Sequence, residues 1–162
     1  GQCSEAGSDP AAWAALGAVR TPVRPVALLR QTIVQSIPNI TGTPINFDVA
    51  DIDTAGGWSA ATPSRWTAPV TGYYLVCGGV SFAISGVGAR AVQFVVNGVD
   101  VNGSGTSIPG SAAVTLRQAA RTTPLLLNAG DYIEISAFQN IGGPLNTVVA
   151  GVEQSTLGIH LI

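Results

Sequence analysis

His160 is the only histidine in the sequence, so any catalytic set built on an imidazole base must use it. A Ser–His–Asp or Cys–His arrangement needs that imidazole beside a nucleophile and open to substrate. His160 instead lies in STLGIHLI, an alternating apolar run that is typical of a packed β-strand. The sequence therefore predicts a packed histidine and a protein that is not an enzyme.

Three carboxylates, Asp100, Asp131 and Glu134, are the residues from which a carbohydrate-active site could be built. Acid–base chemistry on a glycosidic bond needs two carboxyl groups that share one cleft. Asp131 and Glu134 fall on opposite faces of one predicted strand, because side chains alternate along a strand. This pairing does not favour an enzyme.

An acidic cluster, D-x-x-D-x-D at Asp48, Asp51 and Asp53, could supply oxygen ligands to calcium. An EF-hand that began at Asp51 would need a glutamate where Thr62 stands. The pattern favours a solvated loop whose carboxylates cap turns, so we predict no cofactor. The alternative is a bound calcium ion, with Asp51 and Asp53 as its ligands.

The candidate ligand-binding loop residues are Trp58, Asn102 and Ser104. Trp58 flanks a stretch rich in Gly, Ser and Thr, and an exposed indole packs well against a sugar ring. The alternative is that Trp58 closes one end of a sheet. Asn102 and Ser104 belong to NGSGTSIPG, which lacks the ending of a phosphate-binding loop and predicts an apical recognition loop.

The elements that must position these residues follow an all-β pattern from Val26 onward. Short runs rich in Val, Ile, Thr and aromatic residues are separated by clusters of Gly, Pro and Asn. Asn97-Gly98 predicts a tight hairpin, because both residues tolerate positive φ. About nine strands are predicted, a number that closes as a sandwich or barrel. They are 27–36, 44–48, 64–68, 72–84, 90–97, 112–126, 131–139, 146–152 and 156–162.

The composition indicates self-association. The chain has 162 residues, of which 46% are hydrophobic and only 10% charged, more apolar material than one small core needs. No stretch approaches the roughly 20 apolar residues of a spanning helix, so we expect no membrane insertion. A net charge of −2, with seven Arg and no Lys, leaves no basic patch for nucleic acid. The apolar surplus therefore favours a subunit interface.

Residues 1–25 differ in composition from the rest of the chain. They mix Gly, Ser, Ala and Pro around one short helix-compatible stretch, Asp9–Leu16. We interpret them as an N-terminal linker or docking arm, followed by a single domain at 26–162. Cys3 and Cys77 are the only cysteines, too sparse a set to predict a disulfide framework.

Five landmarks follow one another in the domain: QSIPNITGTPINFD, RWTAPVTGYYLVCGGVSF, GARAVQFVVNG, LNAGDYIEISAFQN and STLGIHLI. In order and spacing they resemble the superfamily of the complement C-one-q head and tumour necrosis factor (TNF), in the compact kind seen in phage and bacterial surface proteins. The resemblance covers 27–162 and implies an antiparallel, TNF-like jelly-roll β-sandwich that forms a homotrimer. Animal members carry a collagen-like stalk, but this chain contains no Gly-X-Y run.

The resemblance also implies where the trimer contact lies. Family members pack one sheet of each sandwich around a threefold axis, so strands of that sheet are apolar on both faces. The runs 72–82 and 156–162 show this pattern. By similarity, the contact is lined by Leu75, Cys77, Gly79, Gly158, His160 and Ile162.

From the resemblance we expect a non-enzymatic homotrimeric knob on the surface of a bacteriophage virion, at a tail tip, on a fibre or on the capsid. It would attach to a host-surface glycan or protein, or decorate the particle, while residues 1–25 contact other virion proteins. The alternative is a secreted or spore-associated bacterial adhesion or scaffold domain of the same fold. That domain would be extracellular or at the cell surface.

Overall fold

The computed structural model describes residues 23–162, and nearly all of their regular structure is β-strand. Most of the predicted arm, together with Cys3, lies outside this range. The described residues contain one short 3₁₀ helix, Gly151–Glu153. Within the same range, no helix has the length and apolarity needed to cross a membrane. The strands are β1 (Val26–Arg30), β2 (Ser36–Ile37), β3 (Thr43–Pro44), β4 (Val49–Asp53), β5 (Trp66–Thr67), β6 (Gly72–Phe82), β7 (Ser85–Val96), β8 (Val99–Asp100), β9 (Thr106–Ser111), β10 (Leu116–Ala119), β11 (Thr123–Leu127), β12 (Tyr132–Gln139), β13 (Leu145–Asn146) and β14 (Thr156–Leu161).

Two antiparallel sheets face each other. The first sheet has the order β10-β6-β14-β1-β4, and β11 pairs with the other end of β6. The second sheet has the order β3-β12-β7-β8, with β5 added to β12 and β9 added to β7. A small ribbon of β13 and β2 accompanies them. The prediction of an all-β antiparallel sandwich is confirmed.

The core fills the space between the sheets. From the first sheet, Tyr74, Val76 and Phe82 point inward and are fully buried. Ile133 and Ile135 meet them from β12. Each such side chain contributes about 1.5–3 kcal/mol by leaving water. Alternation then places the odd-numbered residues of β6 from Tyr73 to Gly79 on the outside of the sandwich.

Gly78 lets the two sheets approach closely. A Cβ atom at this position would lie 2.6 Å from the carbonyl oxygen of Thr156 and 3.2 Å from Cδ1 of Ile135. The first contact is to backbone of the neighbouring strand, so it could not be relieved by a side-chain rotation. The glycine therefore fixes the spacing between β6, β14 and the opposite sheet.

Several predicted strand boundaries were wrong. The predicted strand 112–126 is two strands, β10 and β11, which both pair with β6. They separate at Ala120, whose N–H donates to Gly78, and at Arg121, whose N–H donates to the Ser104 carbonyl. The predicted strand 146–152 instead ends in the 3₁₀ helix. The strand boundaries differ from the prediction because the backbone N–H groups of these segments hydrogen-bond to carbonyl groups that are distant in sequence.

The predicted hairpin at Asn97-Gly98 is confirmed. Asn97 has φ 50° and Gly98 has φ 80°, both in the left-handed region. Val96 pairs with Val99 across the turn, so β7 and β8 are joined by a two-residue loop. Asparagine and glycine adopt this conformation more readily than other residues, which is why the dipeptide was informative.

Candidate functional site

The outer side of the first sheet carries a continuous set of mostly apolar side chains, here called the apolar face, with the exposed His160 as a polar member. Strand pairing places His160 between Leu75 and Val26, and Gly158 between Cys77 and Leu28. The face therefore runs across β6, β14 and β1 without a polar strand between them. Its members are Val26, Leu28, Ile52, Tyr73, Leu75, Cys77, Pro124, Leu126, Gly158, His160 and Ile162.

The largest side chains of the apolar face are open to solvent in the single chain. The exposed fractions are 62% for Tyr73, 56% for Leu126 and 58% for Ile162. Tyr73 and Leu126 are direct cross-strand partners on β6 and β11, so they form one patch. Clustered large apolar side chains of this kind are typical of an interaction surface.

Five of the six residues predicted for the trimer contact lie on the apolar face. Cys77 and Gly158 fit each other, because a Cβ at position 158 would lie 2.9 Å from the Cys77 sulfur. The sixth residue, Gly79, is on the same side of the sheet but is buried, with the Arg117 guanidinium beside it. The structure thus brings these residues together, and their contact with other subunits stays a prediction.

Sequence reasoning missed Tyr73, Leu126 and Leu28 as members of the apolar face. Tyr73 is an odd-numbered residue of β6, like Leu75 and Cys77, so the alternation of side chains along the strand predicts that it lies on the same face. Leu126 is recognised only when 112–126 is divided into β10 and β11, because it is the pairing of β11 with β6 that places it beside Tyr73. Leu28 required knowledge that β1 pairs with β14, which no local pattern contains.

One end of the apolar face has a polar border. Arg117 donates to the Val152 carbonyl at 2.8 Å and to the Thr156 hydroxyl at 3.0 Å. Arg30 donates to both carboxylate oxygens of Asp51, each at 2.8 Å. The hydrogen bonds from Arg30 hold the pKa of Asp51 below its ordinary value. An apolar centre with a charged border is the usual composition of a protein–protein contact.

Asp51 and Asp53 point their carboxylates at different partners. Asp51 is the extra residue of a β-bulge and is paired with Arg30. Asp53 accepts from the backbone of Gly57 and Trp58 at 3.1 and 2.9 Å, and from the Trp66 indole at 3.1 Å. Among residues 23–162, no group of three or more ligating side chains is assembled. These contacts favour the turn-capping interpretation, and the calcium site stays an untested alternative.

The three residues predicted for a ligand-binding loop do not form one surface. Ser104 is fully buried, where its hydroxyl accepts from the Phe94 N–H and donates to the Val101 carbonyl. Trp58 packs against the core, and its indole donates to the Pro63 carbonyl. Asn102 is exposed and follows β8, which is one edge strand of the second sheet. Ser104 is closed to a ligand, because its hydroxyl is buried and already bonded to the backbone. A binding role for Trp58 and Asn102 stays a prediction.

The outer side of the second sheet contains a groove of about 560 Å³, here called the acidic groove. Its floor is formed by β7 and β12, and strand pairing aligns Glu134 with Val95 and Val95 with Asp100. The next row pairs Ser136 with Gln93. Gly42 and Pro44 form one wall. The structure therefore brings Asp100 and Glu134 into one groove, whereas Asp131 lies in the turn before β12.

Glu134 is the buried carboxylate of the acidic groove, with 5% of its surface exposed. Its Oε1 accepts from the Ser64 hydroxyl at 2.6 Å and from Arg65 Nε at 3.3 Å. Arg65 is itself held over the Tyr132 ring, 4.0 Å from its centre. These contacts fix the carboxylate and partly offset its charge, while its second oxygen receives no hydrogen bond from the described residues.

Comparison with known proteins supports the fold at the level of architecture. No protein-family model matches the chain, and no curated protein matches it in sequence. Among solved structures, Eiger TNF from S. frugiperda is similar, with a TM-score of 0.55 and 14% sequence identity. The similarity covers 86% of this chain and 92% of that one. The chain therefore has a TNF-like jelly-roll fold, as predicted.

Proposed function

We propose that the chain is a non-enzymatic, homotrimeric binding knob whose apolar face is buried around a threefold axis. One observation carries the proposal: Tyr73, Leu126 and Ile162 are more than half exposed on an outer sheet face that has no polar strand. Burying each of these side chains completely would supply part of the roughly 1.5–3 kcal/mol that a fully exposed apolar side chain gains when it leaves water. Burial between identical subunits is the simplest arrangement that supplies this gain to every copy.

We further propose that the knob belongs to the surface of a bacteriophage virion and attaches to a host-surface glycan or protein. What supports this is the resemblance to the compact, lysine-poor members of the superfamily, since this chain has seven Arg and no Lys. Three copies suit such a task, because weak contacts engaged together gain avidity through effective concentration. In this proposal, residues 1–25 contact other virion proteins and attach the knob to the particle.

The assembly is tested by light scattering after gel filtration, with two variants that each add one charge. Ile162→Asp places a carboxylate on the apolar face, and Val99→Asp places one at a similarly exposed position, 69% open, on β8 of the second sheet. We expect a trimer mass for the wild type and Val99→Asp, and a protomer mass for Ile162→Asp. A monomeric wild type at micromolar concentration would contradict the proposal.

The location is tested separately with fluorescently labelled protein. Retention on whole bacterial cells supports host attachment, and tight docking to phage particles without retention on cells supports a decorating role. Retention on cells together with no affinity for particles would favour the secreted or spore-associated alternative.

A further inference from the structure

We propose that the acidic groove of the second sheet binds a saccharide unit without acidic groups. The inference rests on the proposed function for its biological target, a host-surface glycan, but the groove itself lies on the sheet opposite to the apolar face. Its volume of about 560 Å³ falls within the roughly 300–1,000 Å³ that is typical of small-ligand sites. A saccharide could therefore be bound while the apolar face is covered.

Polar groups on the floor of the groove have hydrogen-bonding capacity to spare. Ser136 is only 7% exposed, and its hydroxyl makes no hydrogen bond within residues 23–162. The Gln93 amide, its cross-strand partner, is likewise unpaired in the described part of the chain. Glu134 keeps one carboxylate oxygen unengaged. These polar atoms are accessible from the groove, so a ligand bound there can replace water as their hydrogen-bond partner.

The arrangement of these groups suits neighbouring hydroxyls. Glu134 and Ser136 are separated by one residue on β12, so their side chains point to the same side of the sheet, about 7 Å apart along the strand. Gln93 lies opposite Ser136 on β7. Asp100 on β8 lies in the same row as Glu134, with Val95 between them. The set combines carboxylate acceptors with an amide and a hydroxyl that both donate and accept. Successive hydroxyls of a sugar ring require this mixture.

Charge selects among saccharides. The groove contains two carboxylates, Asp100 and Glu134, and its lining includes no Arg. Arg65 lies beside it but is already engaged with Glu134 and the Tyr132 ring. An acidic sugar would therefore bring a third negative charge without a free cation to meet it. A cationic side chain would meet only one carboxylate without an ion-pair partner among the described residues, that of Asp100, because Arg65 already partly offsets the charge of Glu134.

Apolar groups complete the floor. Val95, Ala91 and Phe138 lie on the same side of the sheet as the polar groups, and Pro44 forms part of the wall. The C–H faces of a sugar ring can pack against such groups while its hydroxyls reach the polar ones. Gly42 lies beside the Ser136 hydroxyl: a Cβ at position 42 would be 3.5 Å from its oxygen, in ordinary van der Waals contact.

The test is a titration of ¹⁵N-labelled full chain with lactose, maltose, cellobiose and diacetylchitobiose, followed by NMR. We expect saturable shifts for at least one of them at the Gln93 side-chain amide and along β7 and β12. The matched pair of lactose and 3′-sialyllactose tests the charge argument, as does cellobiose against its uronic acid. The acidic member of each pair should bind more weakly than its neutral partner.

Three variants connect binding to the groove. Ser136→Ala and Glu134→Gln should each lower the affinity for the saccharide roughly tenfold, the usual effect of losing one hydrogen bond to a ligand. Gly42→Leu should abolish binding, because the new side chain fills the groove. Gly143→Leu is the matched control, since Gly143 has open space around it and lies outside the groove. Circular dichroism establishes that each variant is folded.

The inference is overturned if no neutral disaccharide binds, or if binding is the same in Gly42→Leu and Gly143→Leu. Preferential binding of an arginine-rich peptide at the same residues would also overturn it. Light scattering on the same samples separates the two proposals. A monomer that binds saccharide contradicts the trimeric knob and supports the groove, and a trimer that binds none does the opposite.

Discussion

Single atoms decide how closely β6 and β14 approach on the apolar face. At position 158 a hydrogen stands where any other residue would have a Cβ, and the Cys77 sulfur occupies the space beside it. The thiol is exposed in the single chain. This pairing explains why a glycine occurs in a strand otherwise built of Thr, Leu, Ile and His, since glycine in a strand adds no packing of its own.

We predict that Gly158→Ala lowers the free energy of unfolding by about 0.5–1.5 kcal/mol, because the exposed Cys77 sulfur must rotate away from the added methyl group. The double variant Gly158→Ala with Cys77→Ala should recover most of that loss, since it removes the overlapping atom. Urea unfolding of the two single variants and the double variant measures the coupling. Additive effects would show that the two residues do not compete for space.

Asp53 shows how one carboxylate can order a whole turn. It accepts three N–H groups, from Gly57, Trp58 and the Trp66 indole. Asp51, two residues earlier, is held only by Arg30 at the surface. The two residues look equivalent in the sequence, but their surroundings differ.

We predict that Asp53→Ala destabilises the fold by about 2–3 kcal/mol, as expected when buried donors lose a charged acceptor. Asp51→Ala should have a much smaller effect, because exposed ion pairs contribute little. Thermal unfolding with calcium or with EDTA provides the further comparison. An increase of the wild-type melting temperature with calcium that is absent from both variants would instead support the metal site.

At the scale of elements, one network ties two turns together. The Asn97 side chain, in the β7–β8 turn, donates to Asp131 at 2.8 Å and accepts from the Tyr132 N–H at 2.9 Å. Asp131 also accepts from the Asn128 N–H at 2.7 Å. The hydrogen bond from Asn97, followed by those from Asn128, lowers the pKa of Asp131 from its ordinary value. The hairpin and the start of β12 are therefore coupled.

We predict that Asp131 stabilises the fold only where it is ionised. Because its pKa is lowered on folding, this contribution is complete above the unfolded value of about 3.9 and is lost as the pH falls through the folded pKa. Asp131→Asn should therefore reduce the melting temperature at pH 7 and make the acid side of the stability profile flatter. Melting curves from pH 7 to pH 2 measure it. Parallel profiles for wild type and variant would contradict the assignment.

At the scale of the molecule, the two sheets have different outer sides. The first sheet presents the apolar face with its arginine border, and the second presents the acidic groove. A sandwich of this kind can assemble through one sheet and bind ligand through the other. The composition agrees with an apolar outer side, since 46% of the residues are hydrophobic and only 10% are charged.

We predict that the melting temperature depends on protein concentration. If folding and trimer formation are linked, a tenfold increase should raise it by about 2–4 °C, as mass action requires for three chains of this size. Ile162→Asp should abolish this dependence, whereas Val99→Asp should retain it. Calorimetry over two decades of concentration makes the measurement. A constant melting temperature in the wild type would contradict a linked trimer.

The groove could not be found from the sequence. Asp100, Gln93 and Glu134 are separated by up to 41 positions, and only the register of β12, β7 and β8 brings them together. Alternation shows only that Glu134 and Asp131, three positions apart, lie on opposite faces of one strand. Likewise, the polar run around Ser104 predicts an exposed loop, but its hydroxyl accepts a hydrogen bond from the Phe94 N–H of β7.

What the sequence determined by itself was local: the all-β composition, the alternation in β6 and β14, and the Asn97-Gly98 hairpin. Each of these depends on neighbours a few residues away, because alternation and positive φ are properties of short segments. Only the tertiary structure decided that β10 and β11 share one partner strand, that Leu28 joins the apolar face, and that Asp100 meets Glu134. Those outcomes depend on which distant backbone groups pair, and no residue type encodes its partner across the sheet.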